Sequence, residues 1–391
     1  MNISRVGVVG GGAMGAGIVQ TLSSFDYPVY FKDVTEDLVS KCMAQVERIY
    51  ASALKKGKFT EGQVSSKLSL VKGGTSDAGF GDADLVIEAV PERMELKKQV
   101  FNLLDGICKP EAILATNTSS LSISQIASFT SRSPRVIGVH WFNPAHVMKL
   151  VEVIPGLETS EEVVKETILF CRNLGKVPVR VKECAGFLVN RLLGMYMNEA
   201  LFMLEEQADP ESIDQAALNR GMPMGPLRLG DMVGWDVIYH SNQTLYEEYG
   251  IRFALPRLLS KMIEEGRLGQ KAGRGVYPEG SQPGHPEPSA PGDPHLESFS
   301  DRLLFAMLNE GIRCLEEGVA SAGDIDLALQ LGTGMPKGPL TWADEIGLDA
   351  LLRGLDGLMA RYGERFRPSP LLRRKAQAGH IGKGSGKGLF T

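Results

Sequence analysis

The chain has 391 residues, more than one compact domain usually needs, and is 43% hydrophobic and 23% charged, which suits two or three packed domains and excludes a disordered chain. Its formal net charge is −5 and its pI about 5.8. No basic patch stands out, so nucleic acid is not an expected partner. Five cysteines, Cys42, Cys108, Cys171, Cys184 and Cys314, form no CxxC pair. That argues against a disulfide framework and against a zinc site, and no metal is expected.

The first residues, MNISRVGVVG, run directly into a strand pattern, without a signal-peptide pattern, and no apolar run is long enough for a bilayer. The cytoplasm is therefore the expected location, with no membrane partner. Val6–Val9 reads as a buried strand, Met14–Phe25 as a helix, Val29–Lys32 as a second strand and Asp37–Leu54 as a second helix. Leu85–Glu88, Ile113–Thr116 and Val136–His140 read as further buried strands, with a helix over Glu92–Cys108. A helix around Glu161–Leu174 precedes a late strand at Val177–Val181. Strands alternating with helices predict a parallel, doubly wound α/β sheet of Rossmann type over residues 1–183.

From Cys184 onward the pattern is helical, with a long candidate helix over Gly186–Glu206. Three blocks then recur in the same order at nearly constant offset. NRLLGMYMNEA at Asn190 is echoed by DRLLFAMLNEG at Asp301, GMPMGPLRLGDMVGWD at Gly221 by GMPKGPLTWADEIGLD at Gly334, and EEGRLGQKAGRGVY at Glu264 by QAGHIGKGSGKGLF at Gln377. The reading is one all-α domain present twice, over 184–277 and 298–391, joined by a Pro- and Gly-rich linker over 278–297.

VGVVGGGAMGAGI sets Gly10, Gly12 and Gly15 in the GxGxxG spacing, after a strand and opening a helix. Gly10 permits the tight turn, Gly12 the approach of a pyrophosphate, and Gly15 close packing of helix on sheet. The helix N-terminus, with Ala13 and Met14 in its first turn, then receives phosphate charge. Asp33 follows at the end of the second strand, where a carboxylate can bind ribose hydroxyls and repel a 2′-phosphate. NAD is thus favoured over NADP, with the adjacent Lys32 a slight counterweight. A plain glycine turn with an exposed acid is the alternative.

His140 ends a strand in GVHWFNP, at the sheet edge where doubly wound folds bind ligands. Its ordinary pKa suits proton abstraction from an alcohol, although a lone histidine can equally be structural. Glu152, in the apolar run KLVEVI, either pairs with His140 and orients it or faces water from an edge strand. Ser119, in ATNTSS, can reach a substrate oxygen or cap a helix. Asn190 is an amide within an apolar helix pattern, and can be satisfied by nearby backbone or aimed at a substrate.

Taken together, NTSSL, HWFNP, KLVEVI and GFLVNRLL after a dinucleotide fingerprint resemble the L-3-hydroxyacyl-CoA dehydrogenases over essentially the whole chain. The resemblance implies reversible NAD-dependent oxidation of an L-3-hydroxyacyl-CoA, such as 3-hydroxybutyryl-CoA, in fatty-acid β-oxidation or related metabolism. It implies that His140 is the general base, paired with Glu152, and that Ser119 and Asn190 contact the substrate oxygen. It implies cofactor contacts by Glu92, Lys97, Asn143 and Lys271, and a CoA contact near Ser52–Lys58, for which Lys55 and Lys56 are candidates. Trp141 stands where this family more often has phenylalanine. The second helical copy carries Asp301 in place of Asn190, which makes it structural in this reading. It would pack on the first as a partner subunit's domain would, giving a pseudo-dimeric monomer or a weak homodimer. Two other readings remain: a dehydrogenase of a free hydroxy acid of carnitine or gulonate type, and a non-catalytic, crystallin-like NAD-binding protein. The presence of all four site residues disfavours the second.

Overall fold

A computed structural model describes residues 3–278, 280 and 294–391; the other residues of the predicted linker lie outside the described ones. The chain divides into two compact units, Met1–Glu183 and Cys184–Thr391.

The first unit contains strands β1 (Val6–Val9), β2 (Val29–Lys32), β3 (Val71–Gly74), β4 (Leu85–Glu88), β5 (Ile113–Thr116), β6 (Val136–Trp141), β7 (Leu150–Pro155) and β8 (Val177–Arg180). Its helices are α1 (Ala13–Ser24), α2 (Glu36–Lys55), α3 (Glu61–Leu68), α4 (Met94–Ile107), α5 (Ile123–Ala127) and α6 (Glu161–Asn173). The strands form one sheet in the order β3-β2-β1-β4-β5-β6-β7-β8. Continuous apolar runs such as Ile113–Thr116 are buried along their length, as strands covered on both faces must be. The order reverses between β1 and β4, which opens the ligand crevice of a doubly wound sheet.

One strand pairing in the otherwise parallel sheet is antiparallel. β7 runs antiparallel to β6, because the chain returns through a short loop instead of a crossover helix. Register then sets His140 directly opposite Glu152.

The second unit is helical: α7 (Val189–Glu205), α8 (Pro210–Asn219), α9 (Pro226–Val233), α10 (Trp235–Tyr249), α11 (Arg257–Glu264), α12 (Pro294–Glu316), α13 (Ala322–Thr333), α14 (Pro339–Ile346), α15 (Leu348–Tyr362) and α16 (Pro370–Gln377). The last five repeat the first five in order. Local devices repeat with them. Buried Asp214 accepts the N–H groups of Leu227 and Arg228 at the start of α9, at 2.8 and 3.1 Å. Buried Asp326 does the same for Leu340 and Thr341 at the start of α14, at 2.7 and 2.9 Å. These bonds satisfy first-turn donors that an α-helix leaves unpaired.

The two copies pack on each other reciprocally. A methyl group on Gly221 would lie 3.3 Å from Pro336, and one on Gly334 would lie 3.2 Å from Pro223. Arg191 of the first copy pairs with Glu310 and Glu317 of the second, and Arg302 of the second pairs with Glu199 and Glu206 of the first.

Helix α7 begins three residues later than the apolar pattern predicts. Gly186 and Phe187 take left-handed backbone, with φ of +70° and +49°, and break the helix there. Asn190 therefore lies in the first turn of α7.

Candidate functional site

In the first unit the candidate residues gather at the carboxyl ends of β1, β2, β4, β5 and β6. Gly10 follows β1 with φ of +101°, a conformation that glycine adopts without strain. A methyl group on Gly15 would fall 1.9 Å from the Gly10 carbonyl oxygen, so that glycine is required by the packing of α1 on the turn. A methyl group on Gly12 would meet no atom within 4 Å. No packing in the unit requires glycine at 12; the open space there is what a pyrophosphate needs in order to reach the backbone. Gly12 also caps α1 without a side chain, so the first-turn N–H groups at Ala13 and Met14 are not masked by a capping side chain.

Asp33 follows β2, and its Oδ2 accepts the N–H of Gly11 at 2.8 Å. The neighbouring Lys32 is turned away and bound to Asp77. The cation that weakened the case for NAD is thus engaged elsewhere. This cleft fits a dinucleotide with free ribose hydroxyls.

Beyond β4 the predicted helix over Glu92–Cys108 starts at Met94, which leaves Glu92 in the preceding loop. From there its Oε1 accepts the Thr118 hydroxyl at 2.6 Å, the Ser119 N–H at 2.8 Å, the Ser119 hydroxyl at 3.1 Å and the Ser120 N–H at 3.1 Å. Burial pushes this carboxyl up, but the Lys97 cation and the bonds from Thr118 and Ser119 outweigh it and hold Glu92 below the usual carboxylate range. Lys97 is buried, with its ammonium 2.8 Å from Glu88 and 3.3 Å from Glu92.

Glu88 was not singled out from the sequence. It is wholly buried at the end of β4, and it also accepts the Thr116 hydroxyl at 2.6 Å and the Val90 N–H at 2.7 Å. Such an acid must be paired to be tolerated. The sequence signal was an acid closing the buried strand LVIE with a lysine one helical entry later.

His140 is 6% exposed and Glu152 0% exposed, and Nδ1 of the histidine lies 2.7 Å from Oε2 of the glutamate. A carboxylate there holds the proton on Nδ1 and leaves Nε2 as the acceptor face of the ring. Phe142 packs against the imidazole at 4.5 Å between ring centroids. Asn143 is exposed in the loop after β6. Lys176, also not singled out from the sequence, steadies that loop: it donates to the carbonyls of Ala145 and Met148 at 2.6 and 2.8 Å and lies over the Trp141 ring at 5.1 Å. Burial lowers Lys176 to about 8.

Lys56 is exposed at the C-terminal end of α2, beside the equally exposed Lys55. Burial, followed by the charges of Lys176, Lys58 and Lys56, holds His146 below its ordinary value.

In the second unit, Lys271 sits on the Asp236 carboxylate at 2.6 Å. The repeat places Gly384 at the corresponding position of the second copy, where Asp349 instead pairs with Arg353 at 2.8 Å. Asn190 is replaced in the second copy by Asp301, which binds Arg220 at 2.6 Å. No helix among the described residues is long and apolar enough to cross a membrane.

Comparison with known proteins gives a consistent match. Residues 5–184 match the 3-hydroxyacyl-CoA dehydrogenase NAD-binding domain, and residues 186–279 and 299–391 each match the C-terminal domain of the same family. The crystal structure of 3-hydroxybutyryl-CoA dehydrogenase from Escherichia coli K12 is 32% identical with a TM-score of 0.89, covering 97% of this chain and 99% of that one. (S)-3-hydroxybutyryl-CoA dehydrogenase from Ralstonia eutropha is 40% identical with a TM-score of 0.69, covering 71% of this chain and 99% of that one. The fatty acid oxidation complex subunit alpha of Shewanella amazonensis is 37% identical over 96% of this chain, which spans only 56% of that relative's length. With its NAD-binding unit and both helical copies matched, this chain belongs to the 3-hydroxyacyl-CoA dehydrogenase family.

Proposed function

We propose that the chain catalyses the reversible, NAD-linked oxidation of an L-3-hydroxyacyl-CoA to the 3-oxoacyl-CoA, with short substrates such as 3-hydroxybutyryl-CoA among those it accepts. The observation that carries this reading is the buried His140–Glu152 pair at the carboxyl end of β6, on the same sheet edge as the glycine turn. Bound NAD supplies the hydride acceptor for C3 of the substrate. His140 takes the hydroxyl proton on Nε2, and Glu152 stabilises the imidazolium that results. The Ser119 hydroxyl and the Asn190 amide direct hydrogen bonds to the oxygen that becomes the ketone, and in the reverse direction they bind it as it is reduced.

In this reading Gly10, Gly12, Ala13, Met14 and Gly15 cradle the pyrophosphate, and Asp33 binds the adenosine ribose. Glu92, Lys97, Asn143 and Lys271 complete the cofactor contacts, while the basic loop at Lys56 meets the CoA phosphates. The first helical copy spans 184–277 and the second, structural copy 298–391. The second copy covers the face that a partner subunit would use, which makes the chain a pseudo-dimeric monomer or a weak homodimer; its place is the cytoplasm. An obligate dimer in sedimentation, with activity lost on dissociation, counts against that arrangement.

The test of the reaction is direct. Turnover of acetoacetyl-CoA with NADH, without turnover of free acetoacetate, supports the CoA thioester over a free hydroxy acid. His140→Gln should abolish that turnover while leaving NADH binding nearly intact. Near-normal turnover in the variant removes the base from His140.

A further inference from the structure

Arg191 follows the proposed substrate-contacting Asn190 in the first turn of α7, yet its side chain is 0% exposed. Its guanidinium is fixed by the second helical copy. Nε donates to Glu310 Oε1 at 2.7 Å, another nitrogen donates to Glu317 Oε2 at 2.7 Å, and the group stacks on Tyr249 at 4.3 Å. Arg252 adds a second cation 3.6 Å from Glu310 and 3.8 Å from Glu317. A planar guanidinium gripped at two edges and one face has a single orientation.

The clamp acts at the start of α7. The helix follows two left-handed residues, and its N-cap, Leu188, offers no side-chain cap. Successive residues on a helix are separated by about 100° around the axis. Rotation of the first turn that swung Asn190 aside would therefore pull Arg191 off both carboxylates.

We infer that Glu310 and Glu317, acting through Arg191, are positioning residues for Asn190, so that the second copy contributes to turnover although it carries no copy of the amide. This rests on the reading that Asn190 contacts the substrate oxygen. The repeat supplies a matched control. Arg302 follows Asp301, stacks on Tyr362 at 3.8 Å, and binds Glu206 at 2.6 and 2.7 Å near the far end of α7. The two networks have the same chemistry, and only one adjoins Asn190.

The experiment compares full-length Glu317→Gln with its mirror Glu206→Gln, whose parent side chains are 40% and 44% exposed. Neither substitution strands a fully buried charge. kcat and KM for acetoacetyl-CoA, NADH affinity and Tm are measured for both. Because a displacement of about 1 Å in a positioned group can cost on the order of 100-fold, Glu317→Gln is expected to lower kcat by ~10-fold or more with NADH affinity unchanged. Glu206→Gln should shift Tm similarly and keep kcat within about twofold, in line with a contact remote from the chemistry. Arg191→Lys, which keeps the charge but cannot span two carboxylates, should follow Glu317→Gln. Equal kcat in the two Gln variants overturns the inference. Asn190→Ala separates the levels: if it keeps turnover, the substrate contact and the positioning both fall. If it loses turnover while the Gln variants stay equal, only the positioning falls.

Discussion

The N–H of Gly11 donates to Asp33 across the glycine turn at 2.8 Å, so the acid that follows β2 is also part of the loop that follows β1. Strand register brings the two together, since β1 and β2 pair in parallel from Val6–Val29 to Val9–Lys32. A ribose bound there would find an acceptor already oriented by the backbone. Charged acceptors of this kind contribute about 1.5–3 kcal/mol per hydrogen bond. Asp33→Ala should therefore raise the NADH KM by roughly tenfold or more, change kcat little, and narrow the preference over NADPH. Steady-state kinetics with both cofactors check this; an unchanged NADH KM rules out the ribose contact.

The glycines at 12 and 15 should separate binding from folding. Gly15→Ala forces a methyl group into the Gly10 carbonyl and should lower Tm by several degrees, in keeping with overpacking costs of about 1–3 kcal/mol. Gly12→Ala adds a methyl group in open space and should leave Tm unchanged while weakening NADH binding. Thermal melts and fluorescence titration distinguish the two. If Gly12→Ala binds NADH normally, the pyrophosphate does not pass there.

Glu152→Gln keeps the size of the side chain beside His140 and removes its charge. The ring loses the partner that fixes its tautomer and stabilises its cation. Turnover should fall on the order of 100-fold or more, with NADH affinity unchanged and the fold retained. Rates within about twofold of the parent would falsify the pairing role.

Asp214 ties the second unit to pH. Burial raises its carboxyl to about 6, against hydrogen bonds from the Tyr277 hydroxyl and the N–H groups of Leu227 and Arg228. A carboxyl whose folded pKa exceeds its unfolded value stabilises the fold most when protonated. The contribution is complete below the ordinary carboxyl value of 3.8 and is lost as pH rises through about 6. Asp214→Asn should flatten the dependence of urea midpoints on pH across that window. A slope equal to the parent's counts against Asp214 as its source.

Much of this was readable in the residues. The strands β1, β2, β4 and β5 lie where their apolar runs begin and end, because both faces of each are covered and nothing else competes for the pattern. β3, Val71–Gly74, escaped notice because it buries one side chain and ends in two glycines. The antiparallel return of β7 escaped too, since an apolar run carries no sign of direction. Glu92 read as helix because helical spacing extends back to it, whereas its carboxylate is drawn to the N–H groups of Ser119 and Ser120. The late start of α7 depends on the left-handed Phe187, which no composition rule anticipates. The repeat was visible only by comparing the chain with itself, and Asn190 and Lys271 are among the positions where the copies differ.

The reciprocal contacts Gly221–Pro336 and Gly334–Pro223 join two halves of one polypeptide. In a homodimer with two-fold symmetry every substitution is made twice, on both sides of the axis. Covalent fusion lifts that rule. It also makes the pairing intramolecular, independent of dilution. One half can keep the amide at 190 and the lysine at 271 while the other drifts to Asp301 and Gly384. Two copies within one chain thus turn a symmetric constraint into two surfaces that can vary separately.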